Sequence, residues 1–233
     1  MSKERDNMSR IFTDEELKNM GTLTLDKLKN AADKGDPETV KALADKMYGQ
    51  AAYLHDGYMC WISGLLTWIY ENYGVEKLEE AEIFAHTLEG KVAFKPVGEL
   101  SFKEEVERHC DILKGHVFQQ IEVSEDDEKV VVAVNPCGSG GRLIEMGAYE
   151  QGFAAVKEKC PITWGSGDLP IYCCHCPIME IMGLDGGGDI RFVHPSIPNI
   201  SGGARCEYLM YKNPEDIPEE YYARLGRKRP GRE

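Results

Sequence analysis

The sequence predicts an α+β protein in which a helical N-terminal half packs on an antiparallel β-sheet. Three observations carry that expectation. Apolar residues recur at helical spacing through residue 115. Beyond it the period shortens towards two in runs rich in valine and isoleucine. Those runs flank one acidic turn, Ser124–Glu128, the mark of a hairpin. With 233 residues and no internal repeat or long linker, the helical region 1–115 and the mixed region 116–233 are expected to form one continuous globular unit.

The first helix opens at "TDEELKNM", where Thr13 followed by Glu16 makes a capping box. Asp36, Pro37 and Glu38 suit the cap and first turn of the next, with Val40, Leu43, Met47 and Ala51 on one stripe. That helix is expected to continue past Gly49 through the apolar stretch "YMCWISGLLTWIY" to Tyr73, with Gly74 as its stop. The stretch reads as a buried helix with Trp61, Trp68 and Tyr70 in the core. Leu78, Ala81, Phe84 and Ala85 mark a helix ending at Gly90, and Ser101 with Glu104 opens another that Gly115 closes. After the hairpin come a Gly-rich loop (138–141), a helix (143–156) and a Pro- and Gly-rich loop (161–170). Then follow the cysteine cluster leading a short helix to Gly183, the strand "DIRFVH" and a closing strand "RCEYLMYK".

Composition excludes several classes of function. Forty acidic against 27 basic residues give a net charge of −13, which repels nucleic-acid backbones and anionic lipid. The basic tail Arg224, Arg227, Lys228, Arg229 and Arg232 reads as a solvated terminus. The longest apolar run is too short to span a bilayer, and the charged N-terminus lacks the pattern of a secretory signal. A cytoplasmic location is therefore expected, where thiols stay reduced and clustered cysteines point to metal or catalysis.

The chemistry concentrates in "IYCCHCPIMEIMG". Cys173-x-x-Cys176 has the spacing by which two thiolates reach one tetrahedral Zn or Fe. Cys137, before Gly-Ser-Gly-Gly, is a third thiolate. His116, freed by a helix ending at Gly115 and starting the hairpin, is the expected fourth ligand; Cys206 is the weaker candidate, read as a core strand residue. Were His109 and His116 in one helix, they would lie about 10 Å apart on one face, too far to share a metal. His175 is the second-shell or acid–base candidate, Glu180 the candidate general base and Arg142 a candidate for a substrate carboxylate. Cys60, Cys110 and Cys160 read as buried small apolar residues. A redox-active CxxC at a helix start and a nucleophilic Cys137 cradled by Gly138–Gly141 are the competing chemistries.

The C-terminal third, "CPIMEIMGLDGG" followed by "GGARCEYLMYK", resembles the L-2-amino-thiazoline-4-carboxylic acid hydrolase family and the vinyl-4-reductase type of small-molecule-binding domain. The resemblance is carried by Cys176, Gly202, Gly203, Cys206, Glu207 and Tyr208. It implies an α+β domain around a small organic molecule, with hydrolytic ring opening as an activity. "PCGSGGRL" and "YCCHC" are not patterns of those hydrolases and look like those of uncharacterised bacterial proteins.

The resulting expectation is a metal-dependent (Zn or mononuclear Fe) enzyme acting on a small organic substrate through His116, Cys137, Cys173 and Cys176. The alternative is a non-catalytic small-molecule-binding or sensor domain with the same centre as a structural site. Small-molecule partners are expected, nucleic acid and membrane are not, and a homo-oligomer is compatible with the sequence.

Overall fold

The computed structural model describes residues 11–92, 100–117, 121–190, 193–198, 200 and 205–231. The chain is α+β, and it divides into two compact units, Met1–His55 and Asp56–Glu233. The division falls inside a helix, not at the change of period near residue 115.

The first unit holds α1 (Asp14–Gly21), α2 (Thr24–Asp33) and the start of α3 (Pro37–Tyr73). Thr13 and Glu16 form the reciprocal cap on α1. The Asp36 carboxylate accepts from the Thr39 N–H at 3.1 Å, satisfying one orphan donor at the start of α3.

In the second unit α3 is followed by α4 (Val75–Val92) and α5 (Phe102–Val117). Ser101 and Glu104 cap α5 reciprocally. The helix runs through Gly115, so His116 lies in its last turn instead of starting the hairpin. Glycine lowers helix stability by about 1 kcal/mol, too little to end a helix whose Val106, Cys110 and Leu113 pack on the sheet. The start of the expected hairpin strand at 118–120 lies outside the described residues.

Strands β1 (Glu122–Glu125) and β2 (Lys129–Val134) pair antiparallel about a turn in which Asp126 accepts from the Glu128 and Lys129 N–H groups. Across β2, β5 (Cys206–Tyr211) pairs in the register Val134↔Cys206 to Lys129↔Tyr211, giving the order β1-β2-β5. The expected strand 189–194 contributes one bridge, Val193 to Leu209, and its residues 191–192 lie outside the described set.

The expected helix 143–156 is only α6 (Gly140–Glu145). Gly147 at φ +68° turns the chain out of the helix. Turns then lead to β3 (Ala155–Val156), which pairs with β4 (Leu169–Pro170). A tight turn at Ile171–Cys174 delivers the chain into α7 (His175–Asp185), and α8 (Glu219–Ala223) closes the described chain. Leu78, Ile162, Leu169, Ile171, Ile178, Ile181, Val193, Ile217 and Leu225 form the main core around α7.

Two expectations are overturned. The stretch 58–70 is not wholly buried: Trp61 is 64% and Trp68 55% exposed, and the core face carries Met59, Ser63, Leu66 and Thr67. Nor is the basic tail wholly solvated. Arg224 reaches Glu180, Arg227 pairs with Asp185 at 2.7 Å, and Arg229 is 5% exposed with its guanidinium on the Glu215 and Ile217 carbonyls. Carbonyl and carboxylate acceptors hold Arg224 and Arg229 inside, while the Arg227–Asp185 pair lies at the surface and Lys228 is exposed. Arg232 lies outside the described residues.

His109 on α5 stands edge-on to Tyr208 at 5.0 Å, and burial, with the nearby His194, lowers its pKa from 6.5 to about 4. The folded state therefore resists protonation that the unfolded chain accepts. Stability should fall by about 2–3 kcal/mol as pH drops from 6.5 through 4. Urea unfolding of the wild type minus that of His109→Gln isolates this segment; parallel pH profiles for the two proteins would exclude it.

Candidate functional site

Glu180 sits one helical turn after Cys176 on α7, on the same face, and its side chain is 1% exposed. A carboxylate that deep must be fully engaged. It accepts from Trp164 Nε1–H at 2.8 Å and from His194 Nδ1–H at 2.7 Å. The Arg224 guanidinium approaches it at 3.3 Å and donates to the His194 carbonyl at 2.7 Å. Arg224 is itself held between the rings of Trp164 and Tyr221, 5.1 and 4.7 Å from their centroids.

This hub orients His194. With Nδ1–H given to Glu180, Nε2 is the nitrogen left for the Cys176 thiol, and the residue is 2% exposed. The imidazole stands beside the Cys176 thiol. Burial opposes its charge, but Cys176 and Glu180 outweigh burial and raise its pKa to about 9. Burial raises the Cys176 thiol in turn, and His194 offsets only part of that.

Beside Cys176 lie three more buried thiols, Cys137, Cys173 and Cys206. The register of the sheet explains two of them. Cys206 opens β5 opposite Val134, and three residues further on the β2 chain has turned to place Cys137 against it. The Cys206 thiol donates to Cys137, and the Ser139 and Gly141 N–H groups add to this, so the Cys137 thiol is lowered despite complete burial. Cys206, the donor, is raised correspondingly. Cys173 packs onto the first turn of α6: a Cβ at Gly140 would stand 2.5 Å from its Sγ, so only glycine admits it. Burial raises Cys173 well above its ordinary value. All eight cysteines are free thiols.

The structure thus brings Cys137, Cys173 and Cys176 to one place, as the sequence suggests, and adds Cys206. His116 stands at the margin, its Nε2 against the Ser139 hydroxyl two residues from Cys137. His175 gives Nδ1 to the Tyr172 carbonyl at 2.7 Å, with Nε2 at 3.5 Å from Cys176 Sγ. Glu180 is a positioning group already saturated by partners. Arg142 makes a two-pronged pair with Asp56, at 2.9 and 2.5 Å, which occupies the guanidinium intended for a substrate carboxylate. Glu145 is exposed. Cys110 packs on the sheet and Cys60 and Cys160 beside the other core clusters. Of the residues carrying the resemblance, Gly202 and Gly203 lie outside the described set.

As they stand, Cys137 pairs with Cys206, and Cys176 meets both His175 and His194. Among the described residues no three Cys, His, Asp or Glu side chains are set as ligands of a metal ion. The donor chemistry nevertheless suits a soft cation: thiols from three parts of the chain and one imidazole whose second nitrogen is held by a carboxylate. Sequence reasoning missed His194, Trp164 and Arg224. A signal existed for His194, which shares the period-two face of Ile190 and Phe192 in "DIRFVH", a polar ring on an apolar stripe.

No family model, curated protein or solved structure matches this chain.

If Glu180 organises the site, Glu180→Ala leaves Arg224 and His194 buried without their acceptor and should lower unfolding free energy by about 3–5 kcal/mol. Exposed Glu145→Ala should stay within about 0.5 kcal/mol. Equal midpoints for the two variants in urea would contradict the assignment.

Proposed function

We propose that the protein binds one thiophilic metal ion, zinc or mononuclear iron, through Cys137, Cys176, Cys206 and His194, and uses that centre on a small organic molecule. The observation that carries this reading is His194: a fully buried imidazole, fixed by Glu180 through Nδ1–H, with its other nitrogen left for the Cys176 thiol among further buried sulfurs. A buried thiol and imidazole that share a proton are two donors that a metal ion can take up together by displacing that proton.

Each residue has a defined task in this reading. Glu180 fixes the His194 tautomer and raises its basicity. Cys137 is already stabilised as a thiolate by its neighbours. Cys173, pinned over Gly140, is a fourth sulfur close to the set and a further donor to it. His175, with Nε2 3.5 Å from Cys176, is the group placed to carry a proton to or from the centre. A bound zinc or iron ion would supply a Lewis acid and an acidified water. Cys176 and Cys206, two of the residues behind the resemblance to the ring-opening hydrolases, both belong to the centre, which supports hydrolysis of a small ring as its activity. Arg142 has no part in it.

One competing chemistry has an observation of its own. Cys137, lowered and held by Cys206, suits a redox-active dithiol that would give two electrons and two protons to an oxidant such as a peroxide. The Cys173/Cys176 pair suits that role poorly, because burial raises both thiols.

Elemental analysis of untagged protein purified under reducing, chelator-free conditions decides between them. We expect about one equivalent of zinc or iron in the wild type, retained in Cys160→Ser and lost in Cys176→Ser and His194→Ala. Metal-free wild type that forms a Cys137–Cys206 disulfide with hydrogen peroxide would replace the metal reading with the dithiol one.

A further inference from the structure

Helix α3 is apolar on two opposite sides. At 3.6 residues per turn its buried residues Met59, Ser63 and Leu66 face the core, and Tyr58, Trp61, Leu65 and Trp68 fall on the opposite side. These four are 57, 64, 50 and 55% exposed. Their spacing of three, four and three residues is the seam of a helix that packs against another helix. Ile62 flanks the seam. A helix apolar all round is a buried helix, yet this side of α3 lies in water.

We propose that this seam is the interface of a homodimer, covered by the same seam of a second copy of the chain. Area is the first argument. The three aromatic side chains Tyr58, Trp61 and Trp68 offer about 400 Å². Leu65 and Ile62 bring the face to about 600 Å², the greater part of the roughly 800 Å² per partner of a stable interface and the upper end of the usual patch on a monomer.

Complementarity is the second. Gly57 and Gly64, one heptad apart, flank the same seam, and a Cβ built on either meets nothing within 4 Å. The face therefore carries projecting rings and open notches side by side. A two-fold axis sets the rings of each copy over the notches of the other, which makes the face complementary to itself. Charge is the third argument. Residues 57–70 contain no Asp, Glu, Lys, Arg or His, so two copies bring no like charges together at the contact despite a net charge of −13 each. That same charge repels an anionic lipid surface, the other apolar-seeking partner such a helix could meet.

The test is the solution mass of the full chain by light scattering from about 1 to 100 µM, for the wild type, Leu65→Glu and Trp61→Glu. We expect the wild type at twice 26.2 kDa at high concentration and both variants at the monomer mass. The variants should keep wild-type circular dichroism and metal content, which separates loss of the dimer from loss of the fold and from any failure of the metal reading. Exposed Phe84→Glu, on α4, should remain dimeric. A monomeric wild type at 100 µM, or a dimer that persists in both seam variants, would overturn the proposal. A monomer that sediments with neutral phosphatidylcholine vesicles would assign the seam to membrane instead.

Discussion

A single buried carboxylate, Glu180, is the constraint on which the site depends. It receives an indole N–H, an imidazole N–H and a guanidinium from three segments distant in sequence, the loop at Trp164, the bridge region at His194 and the C-terminal segment at Arg224. An isolated carboxylate would not stay ionised at that depth. With these partners it anchors the C-terminal segment to α7 and sets which nitrogen of His194 is left facing the thiols. The position of the imidazole, and hence the chemistry available to Cys176, follows from that hub.

The thiols reach the same point by a separate route. The hairpin register places Cys206 opposite Val134 and so brings Cys137 round to it. The absence of a side chain at Gly140 lets Cys173 settle onto α6. Sheet and helix thus deliver sulfur from one side while Glu180 delivers nitrogen from the other. Burial raises Cys173 and Cys176, and the hydrogen bond to Cys137, with burial, raises Cys206, so that three of the four thiols resist ionisation. A charge-compensating cation is the simplest way to keep several of them ionised together.

Local signals were legible in the sequence. The capping boxes at Thr13 and Ser101, the Asp36 cap, the Ser124–Glu128 turn and the clustering of Cys137, Cys173 and Cys176 each depend on residues close in the chain or on a known ligand spacing. What was not legible depends on distant partners. Whether Gly115 ends α5 is decided by packing against β2, and that keeps His116 in the last turn of the helix instead of at the start of the hairpin. The basic tail reads as solvated until Glu180, Asp185 and the carbonyls at Glu215 and Ile217 stand in place to receive it. The 58–70 stretch announces two apolar faces, but periodicity cannot say which of them this chain covers for itself.

The central claim is that these thiols and His194 hold a metal, and cobalt(II) reports on it directly because its absorption depends on ligand type and geometry. Titration of reduced, metal-stripped protein with cobalt(II) should raise a thiolate-to-cobalt charge-transfer band and tetrahedral ligand-field bands that saturate at about one equivalent. In His194→Ala the ligand-field bands should shift or weaken, and in Cys176→Ser the charge-transfer band should fall. Wild-type protein that, still folded, takes up cobalt with no charge-transfer band would contradict the account.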